Sequence, residues 1–174
     1  AFELISEPCI DVQPQTQLSM VRALARAAGD LGMVAGQAFD LNSVGKTLTL
    51  AQLQNMHAAK TGALINLALE LGALSANATE EERDALRRYG QALGLAFQIK
   101  DDLLDIEGDT ATLGKPQGSD MERNKPTYPA LVGMEQCRLW LEELRKEAVD
   151  ALASFGSKAD SLRELAQYVI DRDR

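Results

Sequence analysis

Three carboxylates close a long apolar stretch in this chain. Ala92-Leu93-Gly94-Leu95-Ala96-Phe97-Gln98-Ile99-Lys100 runs straight into Asp101-Asp102-Leu103-Leu104-Asp105, with Ile106 following. Carboxylates in apolar surroundings are costly to bury and repel one another at helical spacing. A hard divalent cation with oxygen ligands resolves both problems. On a helix, Asp101 and Asp105 lie at i,i+4 and share a face, while Asp102 sits about 100° round from Asp101, on its flank. Such a set calls for Mg²⁺ and a polyanion, most often a phosphate. Carboxylates alone do not separate Mg²⁺ from Mn²⁺.

Other polar residues stand where they can border the same space. Phe97 and Gln98 fall one turn before Asp101 and Asp102. Phe97 suits plain core, but a buried glutamine needs partners, so Gln98 is the more telling of the two. Lys60-Thr61-Gly62 interrupts an apolar helical run. A lysine charge beside a hydroxyl suits a phosphate, although a snorkelling surface lysine fits the spacing as well. Gln37 and Asp40, at i,i+3 in Gly36-Gln37-Ala38-Phe39-Asp40, are either a structural polar pair or part of a ligand site. Lys115 and Lys125 lie in a loop, where each either covers a bound diphosphate or is a solvated surface charge. His57 has no nucleophile or second metal-type ligand near it in sequence, which points to a surface or packing role. Trp140 reads as core or interface.

The elements that must position these groups are helices almost throughout. Periodicity predicts a short first helix over about 1–7 and a long one over 16–42. Thr49-Leu50-Ala51-Gln52 is a capping box opening a helix to about 74, and Gly36 and Gly94 permit close helix contacts. Asn77 and Ala78 mark a break. Thr79-Glu80-Glu81-Glu82 is a second capping box, its acids suiting the helix dipole, and it opens a helix reaching the aspartates. Gly108, Gly114, Pro116, Gly118 and Pro126 make 108–126 a long functional loop. Helices over about 127–154 and 159–172 follow. The fold class is an all-α bundle in one domain.

Length and charge narrow the partners. At 174 residues a sizeable core is affordable. A net charge of −8 argues against nucleic acid as the main partner. No run reaches the roughly 18 apolar residues of a membrane span, so no stable membrane insertion is expected. The opening residues lack the basic flank of a signal peptide, and Cys9 and Cys137 are far apart in sequence. Free thiols and a cytoplasmic location are the expectation.

Taken in order, Gly36-Gln37-x-x-Asp40, Lys60-Thr61, Phe97-Gln98-x-x-Asp101-Asp102-x-x-Asp105, Gly114-Lys115 and Asn124-Lys125 resemble the trans-isoprenyl diphosphate synthases, especially the bacterial farnesyl type. The resemblance implies an isoprenoid-synthase helical bundle, normally a homodimer. It implies a prenyltransferase of the geranyltranstransferase kind. An allylic diphosphate (dimethylallyl or geranyl) ionises and isopentenyl diphosphate attacks the cation. Asp101 and Asp105 would ligate Mg²⁺, with Asp102 supporting through water. Lys60 and Lys115 would hold diphosphate oxygens, Thr61 and Gln98 would steady the allyl cation, and Phe97 would wall a dry cavity. Lys125, Gln37 and Asp40 complete the substrate-binding set.

That family has two aspartate-rich motifs, and this sequence contains the second alone. The chain therefore resembles the C-terminal three-fifths of one isoprenoid-synthase domain. By itself it is expected to be inactive, with the intact protein active. Two rivals remain on the same fold. One is a non-catalytic partner subunit, which would have no need of the aspartates and lysines. The other is a terpene cyclase, which Lys60-Thr61 and Gly114-Lys115 fit less well.

Overall fold

The computed structural model describes residues 1–8, 11–107 and 125–173, and among them every regular element is helical. In chain order these are α1 (Phe2–Ser6), α2 (Pro14–Ala28), α3 (Met33–Ser43), α4 (Leu50–His57), a π-helical turn (Ala58–Gly62) and α5 (Ala63–Ser75). Then come α6 (Glu80–Glu107), α7 (Tyr128–Val132), α8 (Met134–Ala151), a 3₁₀ turn (Ala153–Ala159) and α9 (Asp160–Asp171). The loop expected over 108–126 lies outside the described residues except for its last two.

Both capping boxes form. Gln52 N donates to Thr49 Oγ1 at 3.3 Å, and Thr49 N donates to the Gln52 side chain at 2.9 Å. Glu82 N donates to Thr79 Oγ1 at 3.3 Å, and Thr79 N donates to Glu82 Oε2 at 2.8 Å. Each box satisfies donors that a helix start otherwise leaves open. Asn77 takes φ 52°, a left-handed residue where the break was expected.

Three expected helices are each divided. The run over 16–42 breaks at Gly29 to Gly32, where a Cβ on Gly32 would fall 2.1 Å from the Ala27 carbonyl oxygen. Only glycine lets the chain fold back so closely on the end of α2. The apolar spacing hid this break, because it runs on through Leu31 and Val34 as if the helix were continuous. The helix from Thr49 is interrupted by the π turn at Ala58–Gly62. The one over 127–154 is cut at Gly133, whose φ of 84° separates α7 from α8.

α6 is the axis of the molecule, packed most extensively against α8 and, on another side, against α5. Leu53, Tyr89, Ile99, Tyr128, Cys137 and Leu152 are fully buried around it. Side chains of the Leu, Ile and aromatic class contribute about 1.5–3 kcal/mol each on burial. Tyr89 donates to the Leu162 carbonyl at 2.7 Å, so its hydroxyl is satisfied while it ties α9 to α6. Trp140 packs on the edge of this core. Cys137 is a buried free thiol, and Cys9 lies outside the described residues. Leu18, Leu31, Val34 and Leu41 stay exposed along α2, α3 and their link. Among the described residues, no helix is long and apolar enough to cross a membrane.

Candidate functional site

α3, the π turn and α6 are brought together by glycines. A Cβ on Gly36 would sit 2.3 Å from the Lys60 backbone nitrogen, and one on Gly94 would sit 3.3 Å from Gly62 Cα. α3 therefore rests directly on the turn, and the turn rests on α6. The π turn holds one residue more per turn than an α-helix, which changes the direction in which Lys60 and Thr61 leave the axis. Such turns recur at functional sites.

The polar side chains of these three layers meet in one narrow cleft. Lys60 Nζ donates to Asp40 Oδ2 at 2.5 Å. Thr61 Oγ1 donates to Gln98 Oε1 at 3.4 Å, and Gln98 Nε2 donates to Asp102 Oδ1 at 3.1 Å. The other oxygen of Asp102 accepts from the Tyr128 backbone N–H at 2.9 Å. A chain of bonds thus runs from the π turn across α6 to the start of α7. The cleft holds about 50 Å³ and is lined by Asp40, His57, Lys60, Gln98, Asp102 and Lys125 together with Met56, Pro126 and Thr127. That volume suits a water or two, so a diphosphate would be met at the rim, where Lys60 and Lys125 are half-exposed.

Burial governs the electrostatics. His57 is 7% exposed, and burial lowers its pKa from 6.5 to about 4. Asp40 opposes that shift, and Lys60 and Lys125 add to it, so the imidazole is neutral at pH 7. His57 Nδ1 and the Tyr128 hydroxyl share a hydrogen bond at 3.3 Å. Burial first, then Asp102 and Cys137, push the Tyr128 phenol well above its ordinary range. Neither group carries charge at neutral pH, which leaves the cleft's field to its lysines and aspartates.

The structure separates the aspartates into different settings. Asp102 and Asp105 are buried, at 4% and 1% exposure. Asp101 is half-exposed and turns away from the cleft to pair with Arg172, just beyond α9. Arg172 also donates to the Phe97 carbonyl at 3.2 Å and stacks on the Phe97 ring, 4.3 Å from its centroid. Phe97 lines an apolar cavity of about 560 Å³ between α5, α6 and α9. Gln37 is half-buried on α3 and is not among the residues lining the cleft. Lys115 lies outside the described residues.

Sequence reasoning did not place three residues, His57, Arg172 and Tyr128, at the site. His57 was expected at the surface or in packing, and it is packed, but against Tyr128 beside the cleft. Arg172 was not singled out, because its contact with α6 exists only once α9 has folded back. For Tyr128 there was a signal: Lys125-Pro126-Thr127-Tyr128-Pro129 is stiffened by two prolines and ends a long loop.

Among the described residues, no three His, Cys, Asp or Glu side chains converge to hold a metal by themselves. The donors near the cleft are nonetheless hard oxygens, carboxylates with a carboxamide and a hydroxyl. An ion here would complete its shell with water and ligand phosphate, which is the habit of Mg²⁺. The donor set fits a divalent cation brought together with a diphosphate.

The class of protein is thus an all-helical bundle that brings lysines and carboxylates together at one cleft. Residues 1–169 match the polyprenyl synthetase family. The chain is 43% identical to the farnesyl diphosphate synthase of Escherichia coli over 181 residues, covering 100% of this chain and 60% of that protein. The FPP/GFPP synthase of Zymomonas mobilis, in its apo structure, superposes with a TM-score of 0.85 at 38% identity, over 97% of this chain and 56% of that one. The geranyltransferase of Helicobacter pylori, complexed with magnesium and isoprenyl diphosphate, superposes with a TM-score of 0.79 at 27% identity, over 98% and 55%. The chain thus spans a little over half the length of these relatives. It belongs to the polyprenyl synthetase family, and its all-α fold is that of the isoprenyl diphosphate synthases.

Proposed function

We propose that this chain is the C-terminal part of a short-chain prenyltransferase domain that condenses isopentenyl diphosphate with dimethylallyl or geranyl diphosphate to give farnesyl diphosphate. The observation that carries this reading is the cleft in which Lys60, Gln98, Asp102 and Lys125 converge. The names of the relatives support the reaction class.

Each residue has a physical task in that reaction. Lys60 and Lys125 present ammonium charge to diphosphate oxygens at the rim. Asp40 fixes the Lys60 ammonium in place through their ion pair. Asp102 accepts from Gln98 Nε2, which sets the carboxamide so that its oxygen faces Thr61. Those two oxygens, on Gln98 and Thr61, are the dipoles available to a developing allylic cation. Asp101, Asp102 and Asp105 are the carboxylates that would hold Mg²⁺, or Mn²⁺ in its place. When held by these carboxylates, a divalent cation would supply charge neutralisation to diphosphate oxygens. Phe97 and the apolar side chains around it exclude water, which would otherwise trap a carbocation. A cytoplasmic location goes with this reading.

The chain also fits a homodimer. Leu18, Leu31, Val34 and Leu41, between 50% and 68% exposed, form an apolar strip along α2, α3 and their link. Large apolar side chains left open on adjoining elements suit such an interface.

The test is product analysis on the complete protein with Mg²⁺. Geranyl plus isopentenyl diphosphate should yield farnesyl diphosphate, and farnesyl diphosphate alone should yield nothing. Hydrocarbon from farnesyl diphosphate alone would identify a cyclase and sink this reading. The 174-residue chain by itself should not turn over, because the family's first aspartate motif is absent from this sequence.

A further inference from the structure

Asp101 begins the aspartate cluster, yet it is engaged by a guanidinium rather than aimed into the cleft. Arg172 is held there by three features at once. Its Nη2 donates to Asp101 and, at 3.2 Å, to the Phe97 carbonyl, and its guanidinium lies 4.3 Å from the centroid of the Phe97 ring. Phe97 and Asp101 are i,i+4 on α6, so one arginine covers that whole step of the helix face. The Arg172 side chain is only 10% exposed, whereas that of Asp101 is 40% exposed. The carboxylate therefore has an open side from which a cation can approach.

The base of the arginine is anchored. Ala166, Val169 and Ile170 of α9 are buried in the core, and Tyr89 ties Leu162 to α6. Arg172 follows directly on the last turn of α9, and its backbone N–H donates to the Tyr168 carbonyl. Its charge is thus delivered to Asp101 by the seating of a whole helix.

We propose that Arg172 is a built-in counter-ion for Asp101, which a divalent cation must displace before Asp101 can serve as its ligand. The inference rests on the metal reading of the aspartates given above. Arg172 places positive charge on one oxygen and lowers the negative potential that would draw a cation in. Displacement also works in reverse. A cation on Asp101 repels the guanidinium, so metal occupancy and the docking of α9's last turn are coupled with equal strength in both directions. Without its arginine, Asp101 would lose the charge that now faces it from α9.

The experiment measures Mn²⁺ binding by electron paramagnetic resonance, with inorganic pyrophosphate present, for the complete wild-type protein and for its Arg172→Gln and Arg172→Lys variants. Glutamine keeps a donor and removes the charge; lysine keeps the charge and loses the planar fork. Arg172→Gln should bind Mn²⁺ about three- to tenfold more tightly than wild type, the scale of a partly exposed ion pair. Arg172→Lys should stay within about twofold of wild type. Amide hydrogen exchange in the last turn of α9 should quicken when Mn²⁺ is added to wild type, and also in metal-free Asp101→Asn. Equal or weaker Mn²⁺ binding by Arg172→Gln would overturn the counter-ion role and leave the metal reading standing. No Mn²⁺ binding by any of the three proteins would overturn the metal reading and the counter-ion role with it.

Discussion

Lys60 and Asp40 hold each other at the rim of the cleft, but they do not depend on the pair equally. Lys60 is about one-third exposed in its side chain and can turn to water, whereas Asp40 is 6% exposed and cannot. Removing the lysine leaves a buried carboxylate uncompensated. Lys60→Met should therefore cost about 1–2 kcal/mol in urea unfolding, and Lys60→Met with Asp40→Asn should recover most of it. A double variant as unstable as the single one would show that the pair is not the cause. His57 gives a second prediction at this scale. Its folded pKa, about 4, lies below the ordinary 6.5, so the native state keeps it neutral while the unfolded chain takes up a proton. Unfolding is thus promoted as pH falls from about 6.5 to about 4, by up to roughly 3 kcal/mol, and the loss levels off below that. His57→Gln should flatten the dependence of urea midpoint on pH across this window. An unchanged slope would assign it to other groups.

The elements meet through their glycines, and each glycine makes a separate prediction. Gly36→Ala would drive a methyl group to within 2.3 Å of backbone at Lys60, which a rigid turn cannot relieve by rotating a side chain. It should cost about 3 kcal/mol or more and weaken pyrophosphate binding, because α3 must lift off the turn that carries Lys60. Gly72→Ala, in α5 with nothing within 4 Å of the added Cβ, should instead raise stability by about 0.5–1 kcal/mol. Thermal unfolding of the pair separates a close approach from simple backbone freedom. The same elements show what could be read beforehand. Capping boxes at Thr49 and Thr79 and the break at Asn77 are local chemistry, and the sequence displays them. The cut at Gly29 to Gly32, the π turn and the cut at Gly133 leave the apolar spacing intact and so leave no trace in periodicity. Site residues divide in the same way. Gln98 and Asp102 bond along one helix and were legible at i,i+4. Tyr128 N–H on Asp102, His57 on Tyr128 and Arg172 on Asp101 are contacts between distant segments, which only the folded bundle creates.

The whole molecule carries a net charge of −8 and, at the same time, an uncovered apolar strip on α2 and α3. These features oppose each other in self-association: burial of the strip drives copies together, and charge drives them apart. Association should accordingly strengthen with salt over the range in which screening acts. Light scattering should report a dimer at moderate ionic strength and a monomer for Leu31→Asp with Leu41→Asp, with helical circular dichroism unchanged. A dimer that survives both substitutions would put the interface elsewhere. The helical spacing of these residues does not separate a face buried in the chain's own core from one left open, and the structure leaves them open.

Cys137 offers a clock for the bundle. Its side chain is fully buried where α8 meets the core, and burial pushes the thiol up to about 11. A maleimide or disulfide reagent at neutral pH therefore meets neither an exposed sulfur nor an appreciable thiolate until α8 parts from α6. In a Cys9→Ser background, the labelling rate of this one atom converts into the free energy of that opening, residue-resolved and without denaturant. Ligands that bind the closed bundle should slow it in proportion to their occupancy. A buried sulfur with no part in the proposed chemistry thereby becomes a gauge of anything that grips the site.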